Sequence, residues 1–274
     1  MKKHFSIEAV VTKPATMQEM ALIVPGAVVK AVKNKEELSQ FISSKPFKSR
    51  LGIIVDFGII VDQVVIDYFP LGIVNSHFSL LPQWRGADPI TFAILSGQDK
   101  TGVSLMLIEP TLDTGMLLAQ EEINILAQDT ALSLTDKLVG LSNSMFVKYL
   151  PKYIDGQLKP YPQPAKKASY SRKLLKSDGI IDWNKPAVVL EREIRAFAQW
   201  PKSQTVIANK ELIVCSAHAN TKNGPAGKAV ALGKQLLVYC GEGALVIDTI
   251  KPVGKKEMST EAFLAGYKHL FSSA

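Results

Sequence analysis

The chain has 274 residues, 47% of them hydrophobic, with 32 Lys and Arg against 25 Asp and Glu for a net charge of +7. That length and apolar content can bury a sizeable core and favour two domains over one, which excludes a disordered chain or a disulfide-stapled miniprotein. No apolar run approaches the roughly 20 residues of a membrane-spanning helix. Residues 1–14, MKKHFSIEAVVTKP, lack the long apolar core and cleavage site of a secretion signal, so a cytoplasmic protein with no membrane partner is expected.

In chain order, residues 7–12, 51–56 and 72–76 are β-branched apolar runs of strand length. Between the first two, Asn34 can cap a helix whose inner face is Leu38, Phe41 and Ile42, with Glu37 as its capping-box partner. Val61, Val64, Val65 and Tyr68 make the next helical stripe. Pro89 suits a first helical position after Asp88, with Ile90, Ala93 and Ile94 at helical spacing. Residues 101–108 read as a strand and 116–125 as a further apolar stretch. A long helix follows Asp129, carried by Leu134, Leu138, Leu141, Met145 and Tyr149. Short strands alternating with helices predict an α/β domain built on a mainly parallel sheet. The proline-rich stretch 151–167 reads as an extended linker.

Beyond it, a helix over 186–198 precedes strands at 204–207, 211–215, 227–232, 235–239 and 244–251, a spacing that favours a small β-barrel. Cys215 and Cys240 lie in apolar strand-like segments and suit reduced thiols better than a disulfide or a metal knuckle. Residues 169–274 hold 15 Lys and Arg against 9 Asp and Glu, while the first 168 hold 17 against 16. On charge alone that excess fits equally an electrostatic footprint for RNA or a lysine-rich surface.

The chemistry concentrates in residues 74–115, where NSHFSLLPQWRGADPI follows one buried strand and TLDTG another. Loops at the carboxyl ends of strands are where open α/β sheets place ligands. Asn75, His77 and Asp113 could converge there: an amide to meet an oxyanion, an imidazole to move a proton, a carboxylate to orient it. The bland alternatives are a structural histidine and a DTG turn that only ties a loop.

Asn75-Ser76-His77, Ser79-Leu80-Leu81-Pro82, Trp84-Arg85-Gly86-Ala87, Pro89-Ile90, Thr101-Gly102-Val103 and Leu112-Asp113-Thr114-Gly115 together closely resemble the methionyl-tRNA formyltransferase family. Ser169-Tyr170, Ile181-Asp182-Trp183, Ile194-Arg195-Ala196-Phe197, Trp200-Pro201 and Gly241-Glu242-Gly243 extend the resemblance over nearly the whole chain. It implies a Rossmann-like formyltransferase domain with a mainly parallel sheet over 1–153, a linker over 154–168, and an OB-like β-barrel that binds tRNA over 169–274. It also implies transfer of formyl from 10-formyltetrahydrofolate to the methionine amino group of initiator methionyl-tRNA, without a metal, by a monomer.

Asn75, His77 and Asp113 match the family's catalytic residues. Asn75 and a protonated His77 would stabilise the oxyanion, while Asp113 orients His77 and helps to remove the amine proton through a water. Phe57, Gly58, Ile59 and Ile60 match the pterin-pocket loop, and Ser79, Leu80, Leu81 and Pro82 the folate loop. The tRNA contacts would be Arg85, Arg172, Lys173, Arg195, Lys255 and Lys256, with Arg85 equally suited to stiffening its loop. Two family features have no counterpart here: a strand and glycine turn ahead of the segment matching 7–14, and a basic loop after it. Exposed sheet-edge groups near 7–12 are therefore expected. A sugar-nucleotide N-formyltransferase and a noncatalytic RNA-binding remnant remain as alternatives.

Overall fold

A computed structural model of the protein describes residues 4–44 and 47–273. They form two compact units: Met1–Pro89 with Thr101–Ile123 and Lys137–Ser171, and Ile90–Lys100 with Asn124–Asp136 and Arg172–Ala274.

The first unit opens with β1 (Ala9–Thr12), α1 (Met17–Ile23), β2 (Val28–Ala31) and α2 (Lys35–Ser44). Asn34 Oδ1 accepts from the Glu37 N–H at 2.9 Å, and Glu37 Oε2 accepts from the Lys33 N–H at 2.9 Å. The expected capping box thus forms, with its return arm one residue early. Leu38, Phe41 and Ile42 are buried along α2. After β3 (Gly52–Ile54), Asp62 caps α3 (Gln63–Tyr68) by accepting from the Val65 N–H. Val61 and Val65 are buried, but Val64 is 59% exposed. The helix begins only at Gln63, so the inner face falls on Val65 and not on its neighbour.

In chain order β4 (Ile73–His77), β5 (Arg85–Gly86), α4 (Pro89–Ser96), β6 (Lys100–Leu107), β7 (Leu117–Asn124), α5 (Ala131–Ile154) and β8 (Tyr170–Ser171) follow, with α4 from Ile90 on and the first residues of α5 counted in the second unit. β3, β4, β6 and β7 form one sheet in that order. β3 runs parallel to β4, whereas β6 runs antiparallel to it, so the sheet is mixed and its parallel part comes first in the chain. β1 pairs with β2, also in parallel, in a separate two-stranded sheet. Among the described residues β1 and β3 each carry a single hydrogen-bonded neighbour, and Ile53 and Val55 are 37% and 41% exposed.

α5 buries Leu134, Leu138 and Met145 and continues past Pro151. Pro151 has no N–H to give the Val147 carbonyl, and only Lys152, Tyr153 and Ile154 follow before the helix ends. The stretch beyond, expected to be an extended linker, is stitched to the sheet. Leu117 and Tyr161 exchange backbone hydrogen bonds of 2.8 and 2.9 Å.

The second unit contains α6 (Ala187–Ala196), β9 (Ser203–Ile207), β10 (Lys210–Asn220), β11 (Ala229–Leu232), β12 (Gln235–Tyr239), β13 (Ala244–Pro252), β14 (Met258–Ser259), α7 (Thr260–Tyr267) and β15 (Ser272–Ser273). The strands join in the order β15, β11, β12, β13, β10, β9, with β14 on β13, and are antiparallel except for β11 with β15. Leu190 and Ile194 of α6 and Phe263 and Leu264 of α7 pack with Leu212, Leu236, Leu245 and Ile247 in one core. α7 carries little apolar periodicity, since only Phe263, Leu264 and Tyr267 make its large apolar face. Its start is nonetheless written in Ser259, whose side chain accepts from the Ala262 N–H.

Candidate active site

Side chains alternate faces along a strand, so Asn75 and His77, two apart near the carboxyl end of β4, share one side. β4 is held from behind by Ser76, whose hydroxyl lies 2.7 Å from that of Ser142 on α5. His77 is buried, and its Nε2 lies 2.9 Å from the Trp84 carbonyl oxygen. A carbonyl can only accept, so Nε2 carries the hydrogen. Asp113 Oδ2 stands 3.7 Å from His77 Nδ1, beyond a direct hydrogen bond. The Asp113 carboxylate instead accepts from the Gly86 N–H at 2.8 Å.

Two sequence expectations change here. The ring is oriented by the Trp84 carbonyl and not by Asp113. Burial also pushes the His77 pKa below 6.5, outweighing the upward pull of Asp113 and of the Trp84 carbonyl. In the resting protein the imidazole is therefore neutral, with the lone pair of Nδ1 facing the carboxylate, and not the expected cation. Among the described residues no hydrogen bond engages the Asn75 amide, which is left free to donate.

The loops around this centre are rigid for identifiable reasons. Asp113 and Trp84 sit at φ 51° and 56°, left-handed conformations that non-glycine residues hold only where their surroundings impose them. β5 pairs with β8 so closely that a Cβ on Gly86 would lie 2.1 Å from the Ser171 carbonyl oxygen. One on Gly115 would lie 1.8 Å from that of Leu107. Both glycines are therefore required by close backbone approach.

Gln163 joins these loops, and no local pattern marks it because its partners lie some fifty or more residues away. Its Nε2 donates to the carbonyl oxygens of Asp113 and Gly115 at 2.9 and 2.8 Å, and its Oε1 accepts from Arg85 Nε and Nη2 at 3.2 and 2.7 Å. Arg85 is thus buried in loop support, the second of its two sequence readings, and is not presented to a tRNA.

Ser79, Leu81 and Pro82 are buried. The Ser79 hydroxyl donates to the Gln83 carbonyl at 2.5 Å, and Ser104 Oγ bridges the Ser79 carbonyl and the Leu81 N–H. These three shape the loop; Leu80 is the partly exposed member. In the other segment expected to meet the folate, Phe57 and Ile59 pack on the core, Gly58 turns at φ 66°, and Ile60 is 77% exposed.

The expected tRNA contacts divide. Arg172 makes a two-pronged pair with Asp178 at 2.7 Å for each prong, and this holds the Asp178 carboxyl down at about 2. Arg195 is bound by Glu191 and by the Asp129 carbonyl, and Lys255 donates to the Tyr267 hydroxyl. Lys173 and Lys256 are exposed and carry no ion pair among the described residues.

An unengaged amide, a neutral imidazole and a carboxylate at a strand end form a site for group transfer with proton movement. Residues 5–150 match the family described as formyl transferase, and residues 173–268 match the formyl transferase C-terminal domain. The chain is 40% identical over 217 residues to the methionyl-tRNA formyltransferase of Myxococcus xanthus, covering 79% of this chain and 70% of that protein. It is 39% identical over 236 residues to that of Methylococcus capsulatus, covering 85% and 76%. The chain belongs to the methionyl-tRNA formyltransferase family. Among solved structures, HypX from Aquifex aeolicus in complex with tetrahydrofolic acid shares the fold at TM-score 0.70 and 17% identity. The match covers 99% of this chain and about half, 49%, of that one. An N-formyltransferase from Helicobacter canadensis, solved with folinic acid and dTDP-3-aminofucose, does so at TM-score 0.65 and 18% identity, covering 88% and 82%.

Proposed function

We propose that this chain transfers the formyl group of 10-formyltetrahydrofolate to the amino group of methionine on initiator methionyl-tRNA, with Asn75, His77 and Asp113 as its catalytic residues. The observation that carries the reading is the juxtaposition of the free Asn75 amide with neutral His77 and the Asp113 carboxylate. The amine attacks the formyl carbon, and the carbonyl oxygen becomes an oxyanion to which Asn75 donates a hydrogen bond. The attacking nitrogen must shed a proton. His77 Nδ1, whose lone pair is free and from which Asp113 stands 3.7 Å away, takes it, and the carboxylate stabilises the imidazolium that forms. Collapse then expels the folate nitrogen, which takes up a proton. Ile60, Gly58 and Leu80 would meet the folate, and Lys173 and Lys256 the tRNA phosphates.

The test is formyl transfer to charged initiator tRNA, run beside an amino-sugar nucleotide as acceptor. Transfer to the tRNA, weakening steeply with salt, is expected. Transfer to the sugar alone would replace this reading by the sugar-nucleotide one. Silence with both acceptors, in a folded protein that still binds RNA, would leave the noncatalytic reading.

A further inference from the structure

The orientation of His77 rests on a carbonyl oxygen, and a carbonyl is only as well placed as its own peptide. The Trp84–Arg85 peptide that supplies it follows a residue at φ 56°, a backbone state that the surroundings must impose. Ser169, in the same unit as His77, grips the chain on both sides of that tryptophan. Its hydroxyl accepts from the Trp84 N–H at 3.0 Å, its carbonyl accepts from the Arg85 N–H at 2.9 Å, and its own N–H donates to the Pro82 carbonyl at 3.2 Å. Two residues on, the Ser171 hydroxyl accepts from the Asp88 N–H at 3.3 Å. There the Gly86 backbone lies against the Ser171 carbonyl with no room for a Cβ, so the brace is pinned against β5 beyond the tryptophan as well.

A neutral imidazole carries one ring hydrogen, and two acceptors compete for it here. The Trp84 oxygen, 2.9 Å from Nε2, draws it to that nitrogen. Asp113 Oδ2, 3.7 Å from Nδ1, would draw it to the other after a small rocking of the ring. A carboxylate is the stronger acceptor. The observed arrangement therefore depends on a carbonyl held so firmly that, in the other tautomer, the Nε2 lone pair would point straight at its oxygen. The two tautomers differ in chemistry, because only with the hydrogen on Nε2 is Nδ1 a base facing Asp113. The Trp84–Arg85 peptide accepts from His77 through its oxygen and donates to the Ser169 carbonyl through its nitrogen, and bonds in such a chain strengthen one another. When Nδ1 gains a proton, Nε2 donates more strongly and the polarised chain helps to stabilise the new charge.

We propose that Ser169 is a positioning residue for His77: by bracing the Trp84 carbonyl it keeps the ring hydrogen on Nε2 and leaves Nδ1 as the base. The use of that base rests on the formyl-transfer reading, whereas the place of the ring hydrogen does not.

The test is nitrogen NMR of the full chain with isotopically labelled histidine rings, above neutral pH, beside steady-state transfer from 10-formyltetrahydrofolate to charged initiator tRNA. The His77 signals are those that vanish in His77→Ala. The parent should show a protonated Nε2 and a bare Nδ1. Ser169→Ala, which removes the hydroxyl and keeps the backbone groups, should show the hydrogen shared between the two nitrogens and should lower kcat about tenfold with KM for both substrates unchanged. Ser169→Thr, which keeps the hydroxyl, should restore both. Ring signals in Ser169→Ala that match the parent's, even with activity or thermal stability reduced, would make Ser169 merely structural and overturn the proposal. A shifted ring with kcat intact, or a parent with its hydrogen on Nδ1, would overturn it too. Should the parent transfer no formyl group, the formyl-transfer reading fails, and the ring signals alone decide whether Ser169 places the hydrogen.

Discussion

The loops around His77 and the segment proposed to meet the folate belong to the same unit and are built in opposite ways. Around His77 the polar groups are matched: Trp84, Gly86, Asp113, Gln163 and Arg85 hold one another by named hydrogen bonds. Between residues 53 and 64, by contrast, the apolar side chains of Ile53, Val55, Ile60 and Val64 stand 37–77% exposed. On the proposed function, the proton-handling groups are fixed before any substrate arrives, whereas the folate side gains its cover from the substrate itself. Preorganisation of this sort places catalytic strength in the rigid part and affinity in the open part.

The comparison can be broken most severely at the rigid end. Asp113→Asn keeps the acceptor for the Gly86 N–H but removes the charge that stabilises protonated His77, and should lower kcat by about 100-fold or more with little change in folding. A fall in Tm with kcat preserved would mark Asp113 as structural. Gly86→Ala drives a Cβ into the Ser171 carbonyl and should destabilise the protein by about 1–3 kcal/mol, read by thermal unfolding, with activity falling alongside. Gln163→Glu separates the two halves of its hub, because a carboxylate still accepts from Arg85 but cannot donate to Asp113 and Gly115. It should lower kcat about tenfold with KM unchanged, and Gln163→Ala should do no less. At the open end, Ile60→Ser should raise the KM for the folate donor a few-fold, about 1 kcal/mol of lost apolar contact, and leave kcat intact. A kcat effect there as large as that of Asp113→Asn would erase the distinction.

Much of the fold was legible because the apolar pattern repeats locally. The α2 cap was readable from Asn34 and Glu37, and the strands of the second unit from their β-branched runs. The strand neighbours were not, since the antiparallel turn of β6 against β4 depends on contacts far apart in sequence. The site was legible in its residues and not in its protonation. Nothing in the letters around His77 reveals that burial outweighs the nearby carboxylate, nor that the Trp84 carbonyl fixes the ring. Gln163 lies within a proline-rich stretch whose composition predicts an unattached linker, and the role of Arg85 depends on that glutamine, 78 residues away in sequence.

The depressed His77 pKa also fixes a sign. Because the folded value lies below the unfolded one near 6.5, this group's contribution to stability is complete above that pH and is lost as pH falls through and below it. Transfer that needs a neutral ring should accordingly persist to a pH lower than an ordinary histidine would permit.

The most direct test of the central claim is the pH dependence of single-turnover formyl transfer to methionyl initiator tRNA, measured for the unaltered chain beside His77→Ala. A rate that stays level down to a pH below 6.5 and then falls, and that drops by about 100-fold or more across the whole range in the variant, is the expected result. A variant as active as the parent, or a parent whose rate rises as the histidine becomes charged, would contradict the role of neutral His77.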